Sequence, residues 1–267
     1  MLLDYHIHTY LCKHADGTPE EYVESAIRNG ITEIGFSDHC PWPPGFDPKY
    51  RMTADQFPLY RKIVLDLKAE FPEIKIKYGL EVDWVGGRMD EVFSNIGKEN
   101  FDYLIGSVHY IDDFPFDSPD FADKWNEKEF IEKVWSRYFE LLLEMVESGK
   151  FDIIGHFDLP KKFGYYPSAM DRIGEMVKNI FKAAAKNKMA VEINTSGLRK
   201  PVKEMYPSLD ILKMANKAGI ALVLGSDSHS PIEIAANFAD AVKLARSAGY
   251  DRICSYSQRK PTLLPLG

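Results

Sequence analysis

Cysteine is scarce in this chain, and what there is does not pair. Cys12, Cys40 and Cys254 are odd in number and form no C-x-x-C motif, which argues against a disulfide scaffold and suits a reducing compartment. Cys12 and Cys40 stand beside histidines, so metal ligation is weighed for both, with packing thiols as the preferred reading. Long apolar runs are missing too. None approaches the roughly 20 residues of a membrane span, and the opening residues, interrupted by Asp4, make a poor secretory signal. Positive charge is in deficit: 33 Lys and Arg against 40 Asp and Glu leave a net charge of −7, which argues against a general binder of nucleic acid or membrane surfaces. Repeats of fixed period, low-complexity tracts and linkers are absent. The expected class is a cytoplasmic enzyme or binding protein without nucleic-acid or membrane partners, its oligomeric state open.

What is present is a regular alternation. Thr18-Pro19-Glu20-Glu21 offers an N-cap threonine, a proline at the first helical position and a capping-box glutamate, and Gly30 stops the helix. Ser230-Pro231-Ile232-Glu233 repeats that chemistry, with Gly249 as the stop. Apolar residues at three- and four-residue spacing predict further helices over 53–70, 127–148, 168–188 and 208–218. In the longest, Phe130, Val134, Tyr138, Leu141 and Met145 share a face. Between helices lie the runs LLDYHI, EIGFSD, IKIKYGLEV, DYLIGSVHY, FDIIGHF, AVEINTS and IALVLGSDSH, continuous rather than alternating, as parallel strands covered on both faces should be. Seven strands alternating with helices predict an α/β protein, a closed βα barrel filling one domain over 1–267. A short run at Arg252-Ile253-Cys254 is an added strand or a packed tail. The stretches 41–52 and 111–126 read as long loops, where function often resides.

Histidine is also sparse, 7 in 267, and its placement is not random. His6 and His8 end the first strand and His14 follows in the next loop. His39, His109 and His156 follow the second, fourth and fifth strands, and His229 the seventh, with Glu81 ending the third and Asp227 beside His229. In a βα barrel all these ends meet on one rim. Residues i and i+2 of a strand point the same way, about 6.5 Å apart, so H-x-H and D-x-H each aim two donors at one ion. A lone histidine there is usually a hydrogen-bonded structural residue, but structural roles give no reason for all seven to cluster. Seven imidazoles and two carboxylates exceed what one tetrahedral ion needs, which implies two or three metals.

The segments YHIHT, GFSDH, GLEVD, GSVHY, IGHFD, EINTSG and GSDSH resemble those of the polymerase-and-histidinol-phosphatase (PHP) metallohydrolases, from residue 4 to about 230. Within that family the chain is similar to the histidinol-phosphate phosphatase branch. The resemblance implies a distorted (β/α)7 barrel with a trinuclear centre at the carboxyl ends of its strands. By position, His6, His8, Glu81 and Asp227 match the first metal site. Glu81 would bridge to a second with His109 and His156, and His14, His39 and His229 match the third. Asp16 is a substitute for His14. Imidazole and carboxylate donors suit zinc, iron or manganese alike.

The activity so implied is hydrolysis of a small phosphate monoester, L-histidinol phosphate in histidine biosynthesis first, with a nucleotide or sugar phosphate as the alternative. The expected mechanism is attack by a metal-bridging hydroxide without a phospho-enzyme. Asp227, His229 and His39 are candidates to protonate the leaving alkoxide. Arg199 is the first candidate for the phosphate, with Ser196, Gly197, Lys161, Lys162 and Arg88 behind it; losing Arg199 should mainly raise KM. Asp38, Asp83 and Asp158, or the aromatics Trp42, Trp84, Phe163 and Tyr165, are candidates for the substrate's amine and imidazole, the acids alternatively orienting metal-bound rings. Amidohydrolases also carry H-x-H on a first barrel strand, but they usually bridge metals with a modified lysine and end on a lone aspartate. A non-catalytic metal-binding module would be expected to have lost ligands, and none is lost here.

Overall fold

The computed structural model describes residues 2–43, 46–96, 99–168 and 170–267. Positions 44 and 45 of the loop 41–52, and position 169 of the helix expected over 168–188, lie outside the described residues.

The apolar runs form the strands β1 (Leu3–Ile7), β2 (Glu33–Phe36), β3 (Lys75–Asp83) and β4 (Tyr103–Ser107). A hairpin of β5 (Tyr110–Ile111) and β6 (Phe114–Pro115) precedes β7 (Ile153–Ile154), β8 (Ala190–Asn194) and β9 (Ala221–Gly225). Seven of these pair in parallel in the order β1-β2-β3-β4-β7-β8-β9. Just past their ends, β1 and β9 approach: His8 N donates to Ser228 O at 3.0 Å and Ser228 N to His6 O at 3.1 Å, which nearly closes the barrel. Strands buried along their whole length explain why the runs read as apolar without alternation.

The helices are α1 (Pro19–Arg28), α2 (Phe57–Glu70), α3 (Met89–Ile96), α4 (Lys128–Glu147), α5 (Met170–Lys186), α6 (Leu209–Lys217) and α7 (Phe238–Ser247). The capping box at Thr18 forms: Glu21 N donates to Thr18 Oγ1 at 3.4 Å, and Thr18 N to Glu21 Oε2 at 2.7 Å. Along α4 the buried face holds Ile131, Val134, Trp135, Tyr138, Leu141, Leu142 and Met145, while Phe130 is only partly covered. The helix expected from Ser230 differs. Pro231–Glu233 is one 3-10 turn and α7 begins at Phe238. Glu233 is diverted from capping because its carboxylate accepts from His229 N at 2.9 Å and pairs with Arg199 at 2.9 Å.

After α7 the chain forms an antiparallel hairpin, β10 (Arg252–Ser257) with β11 (Lys260–Pro265), so the short run at 252–254 is an added strand. It seals the end of the barrel where strands begin: Ser255 Oγ donates to Glu33 at 2.6 Å and Arg259 Nε to Asp152 at 2.8 Å. Inside, the Tyr103 ring stacks on Tyr5 at 4.6 Å between centroids. Side chains at Gly35 or Gly79 would overlap that ring, which explains glycine in the middle of both strands. Among the described residues no helix is long and apolar enough to cross a membrane.

Candidate metal centre

The rim opposite the hairpin gathers all seven histidines around Glu81. His6 Nε2 lies 3.4 Å from Glu81 Oε2 and 3.8 Å from Asp227 Oδ1, and His8 Nε2 lies 3.7 and 3.3 Å from the same two atoms. Donors about 2.0–2.1 Å from a tetrahedral ion stand roughly 3.3–3.4 Å apart, so these four are spaced for one ion. The other oxygen of Glu81 faces a second set: Oε1 is 3.1 Å from His156 Nε2 and 3.8 Å from His109 Nε2, and those nitrogens are 3.1 Å apart. Donors of His14, His39 and His229 form a third set within 4.8 Å of one another. Asp16 joins no such set among the described residues. Two further sets overlap these, His39 with Asp83 and His109, and Cys12 with His8 and His229. Cys40 joins none; its thiol donates to Pro41 O at 3.4 Å.

The sets have the chemistry that metal binding needs. Buried polar atoms are almost always hydrogen-bonded, yet His6 Nε2, His8 Nε2, His229 Nε2 and Glu81 Oε2 are buried without a hydrogen-bond partner. Desolvation, reinforced by the neighbouring histidines, pulls His229 well below its ordinary value and brings His14 to about 4 although its side chain is exposed, while His6, His8 and His109 are raised against burial by the carboxylates they face. Burial alone would raise Glu81, but His6, His39 and His109 hold its carboxyl well below the usual range. Asp227 follows the same pattern, with His6 and His8 outweighing burial. Asp227 is also held at φ 52°, a left-handed conformation that aspartate tolerates better than most residues.

A surrounding layer of carboxylates aims the rings. Glu192, which sequence reasoning missed, accepts from His6 Nδ1 at 2.8 Å with one oxygen and from His156 N at 2.9 Å with the other. A side chain on Gly225 would collide with that carboxylate and with His6, so the last strand needs glycine there. Asp38 accepts from His39 N at 2.8 Å and lies 3.5 Å from His8 Nδ1. Asp83 bonds His109 Nδ1 and is itself held by Arg51 at 2.8 Å. Asp83 thus orients a ring and Asp38 stands beside one, and both are fully buried, away from the cleft. Such outer partners fix ring orientation and raise ligand basicity. The signal for Glu192 was its charge: an acid inside the run AVEIN needs a partner once buried.

Above these residues opens a cleft of about 390 Å³ lined by His14, His39, His109, His156, Glu81, Asp227 and His229. Arg199 and Ser196 reach it as expected, but both are engaged. Arg199 pairs with Glu233 and donates to Ser226 O at 2.8 Å and Asp227 O at 3.0 Å, leaving Nη1 buried without a partner. Ser196 Oγ donates to Asp227 at 3.0 Å.

Several expectations are corrected. Lys161 does not reach the cleft: it is 1% exposed, and its ammonium bonds Met205 O at 2.7 Å, Asp158 at 3.0 Å and Glu204 at 3.1 Å. It sits in the 3-10 turn Leu159–Phe163, where successive side chains diverge by about 120°, so Lys162 faces the cleft instead. Asp158 is spent on Lys161 and Ser208 N. Gly197 is packed against Glu204 O, and Arg88 lies over the Trp42 and Phe46 rings. Trp42 and Trp84 serve the core, and Phe163 and Tyr165 pack on or bond neighbouring loops; the aromatic side of the cleft is Tyr50, Tyr110 and Tyr206.

Comparison with known proteins agrees with this geometry. The family model described as PHP domain matches residues 4–196. A probable histidinol-phosphatase of Deinococcus radiodurans is 39% identical, covering 97% of this chain and 98% of its own. The histidinol-phosphatase of Bacillus subtilis is 31% identical over 85% of this chain and 92% of its own. Among solved structures, histidinol phosphate phosphatase from Lactococcus lactis complexed with zinc, L-histidinol and phosphate superposes with a TM-score of 0.81 at 28% identity, covering 98% of both chains. With seven parallel strands, converging histidines and a matched model over most of its length, the chain belongs to the PHP domain family.

Proposed function

We propose that this protein is a metal-dependent phosphomonoesterase that hydrolyses L-histidinol phosphate to L-histidinol and phosphate, the reaction named for its relatives. The observation that carries the reading is Glu81, a buried carboxylate with one donor set on each oxygen and a third set beside it. His6, His8, Glu81 and Asp227 would hold one ion, Glu81, His109 and His156 a second, and His14, His39 and His229 a third, with zinc, iron or manganese all compatible with these donors. Such ions acidify a bound water, neutralise phosphoryl oxygens and align attack.

The chain's own groups do the rest. Asp227, ionised and fixed by Ser196 Oγ and by Asn194 Nδ2 at 3.2 Å, stands on the wall of the cleft where the leaving alkoxide takes its proton. His39 and His229 stand on the same wall of the cleft. Arg199 and Ser196, both bonded within the cleft wall, hold the Asp227 backbone and carboxylate in place beside the phosphoryl group. We read 1–267 as one domain, because the terminal hairpin bonds directly to the barrel, and place the protein in the cytoplasm as a biosynthetic enzyme without nucleic-acid partners.

The test is phosphate release from histidinol phosphate and a panel of nucleotide and sugar monophosphates, coupled to metal analysis. Histidinol phosphate should lead the panel by a wide margin, and chelation should abolish turnover. A flat panel, or full activity after exhaustive chelation, refutes the reading.

A further inference from the structure

We propose that Lys200 is a substrate-binding residue whose ammonium receives the phosphoryl group. The proposal rests on the reading of the cleft as a phosphatase site, but it concerns the phosphate rather than the alcohol attached to it.

Among the described residues four lysine and arginine side chains line the cleft: Arg51, Lys162, Arg199 and Lys200. Three are committed. Arg51 is held by Asp47 at 2.9 Å and Asp83 at 2.8 Å. Lys162 is held by the Asp117 carboxylate at 3.0 Å and its carbonyl at 2.7 Å. Arg199 is held by Glu233 and two carbonyls. Arg51 and Lys162 meet a substrate with their charge largely cancelled, and turning either onto a phosphate means breaking an existing pair; the unpartnered nitrogen of Arg199, Nη1, is buried. Lys200 differs, because its ammonium has no hydrogen-bond or ion-pair partner among the described residues. Its backbone is nevertheless pinned: Lys200 N donates to Gly197 O and Lys203 N to Lys200 O, both at 3.1 Å. A fixed root and a free end suit a four-carbon stem that presents three donors to a tetrahedral anion.

The surroundings agree. Burial lowers the pKa of Lys200; Asp227 and Asp117 oppose this, while Lys162 and Arg199 add to it. An anion seated among Lys162, Arg199 and Lys200 relieves the crowding of like charge. Lysine binds phosphate as a compact point charge, and such charge-assisted bonds are roughly twice as strong as neutral ones. Lys200 follows directly on the turn Thr195–Arg199, which carries the Ser196 that bonds Asp227, and it lines the same cleft as His39, His156 and Asp227.

The test uses metal-loaded enzyme and the variants Lys200→Met and Lys200→Arg, read by the inhibition constant of inorganic phosphate, by KM and kcat for histidinol phosphate and p-nitrophenyl phosphate, and by metal content. For Lys200→Met, phosphate inhibition should weaken at least tenfold and KM should rise by a similar factor for both esters. Metal content should hold, kcat should change less than KM, and Lys200→Arg should recover most of the loss. Phosphate inhibition unchanged within twofold overturns the proposal, and so does a loss that tracks loss of metal. If phosphate binding weakens as stated while histidinol phosphate is not preferred, Lys200 stands and the proposed substrate falls.

Discussion

The two ends of this barrel bury similar chemistry and treat it in opposite ways. At the end where strands begin, Glu33 is buried with its Oε1 well supplied: the Tyr5 and Ser255 hydroxyls both donate to it, and Tyr256 N donates to Tyr5 Oη at 2.9 Å. At the end where strands finish, Glu81 is equally buried, yet Oε2 and several facing ring nitrogens lack partners. A buried polar group without a partner costs about 1–3 kcal/mol. One end is therefore closed by its own hydrogen bonds, and the other is held in readiness for cations that only its layer of carboxylates keeps aligned. The comparison separates groups that stabilise the fold from groups that wait for a ligand.

Removing Glu81 should break the contrast most severely. Glu81→Gln takes away the oxygen charge shared by two donor sets, so kcat should fall on the order of 10³-fold, equivalent to ~4 kcal/mol of barrier. Elemental analysis should show bound metal dropping with it; full metal content at wild-type rates would end the assignment of Glu81 as the shared donor. Glu192→Gln should do less. It leaves every proposed ligand in place but weakens the grip on His6 and on the backbone of His156. Metal affinity should fall about 10- to 100-fold, as for other residues that orient a liganding imidazole. Competition with a chromophoric chelator measures this, and an unchanged affinity would assign Glu192 to packing alone.

The difference between the ends also explains what the sequence made legible. Strand ends carrying His6, His8, Glu81, Asp227 and His229 stand out because histidine is rare and i, i+2 spacing survives folding unchanged. Helices α4, α5 and α6 were placed to within a residue or two, since amphipathic period is local. What did not show was pairing across distance. Glu192 sits 186 residues from the ring it orients, the partner of Lys161 is set by a 3-10 turn, and Glu233 left its helix-capping role for Arg199 and His229 N. Helix α3 is short and stands where no element was expected, and the hairpin β5–β6 runs into the stretch 111–126 expected as a loop. The role of the terminal hairpin as a floor depends on contacts more than 200 residues apart, such as Ser255 with Glu33.

Substitutions at the floor should move stability and spare chemistry. Glu33→Ala leaves the Tyr5 and Ser255 hydroxyls without their acceptor, so stability should drop by about 2–4 kcal/mol while kcat stays within about twofold. Urea unfolding alongside the phosphatase assay checks both halves, and a kcat loss matching that of Glu81→Gln would erase the distinction between the ends.

The smallest effect should come from Arg259→Ala. Arg259 joins Asp152 at 2.8 Å and Lys150 O at 2.6 Å, fastening the hairpin to the start of β7, but its side chain is 38% exposed. Exposed ion pairs contribute about 0–1 kcal/mol because water and salt already solvate both charges. Asp152 keeps a second partner when the arginine is gone, since Leu104 N donates to the same carboxylate at 2.8 Å. The cost in urea should therefore stay below about 1 kcal/mol and shrink further in high salt. A loss as large as that of Glu33→Ala would show that the hairpin is held at its tip by Arg259 rather than along its buried face by Tyr256, Ser255 and Ile253.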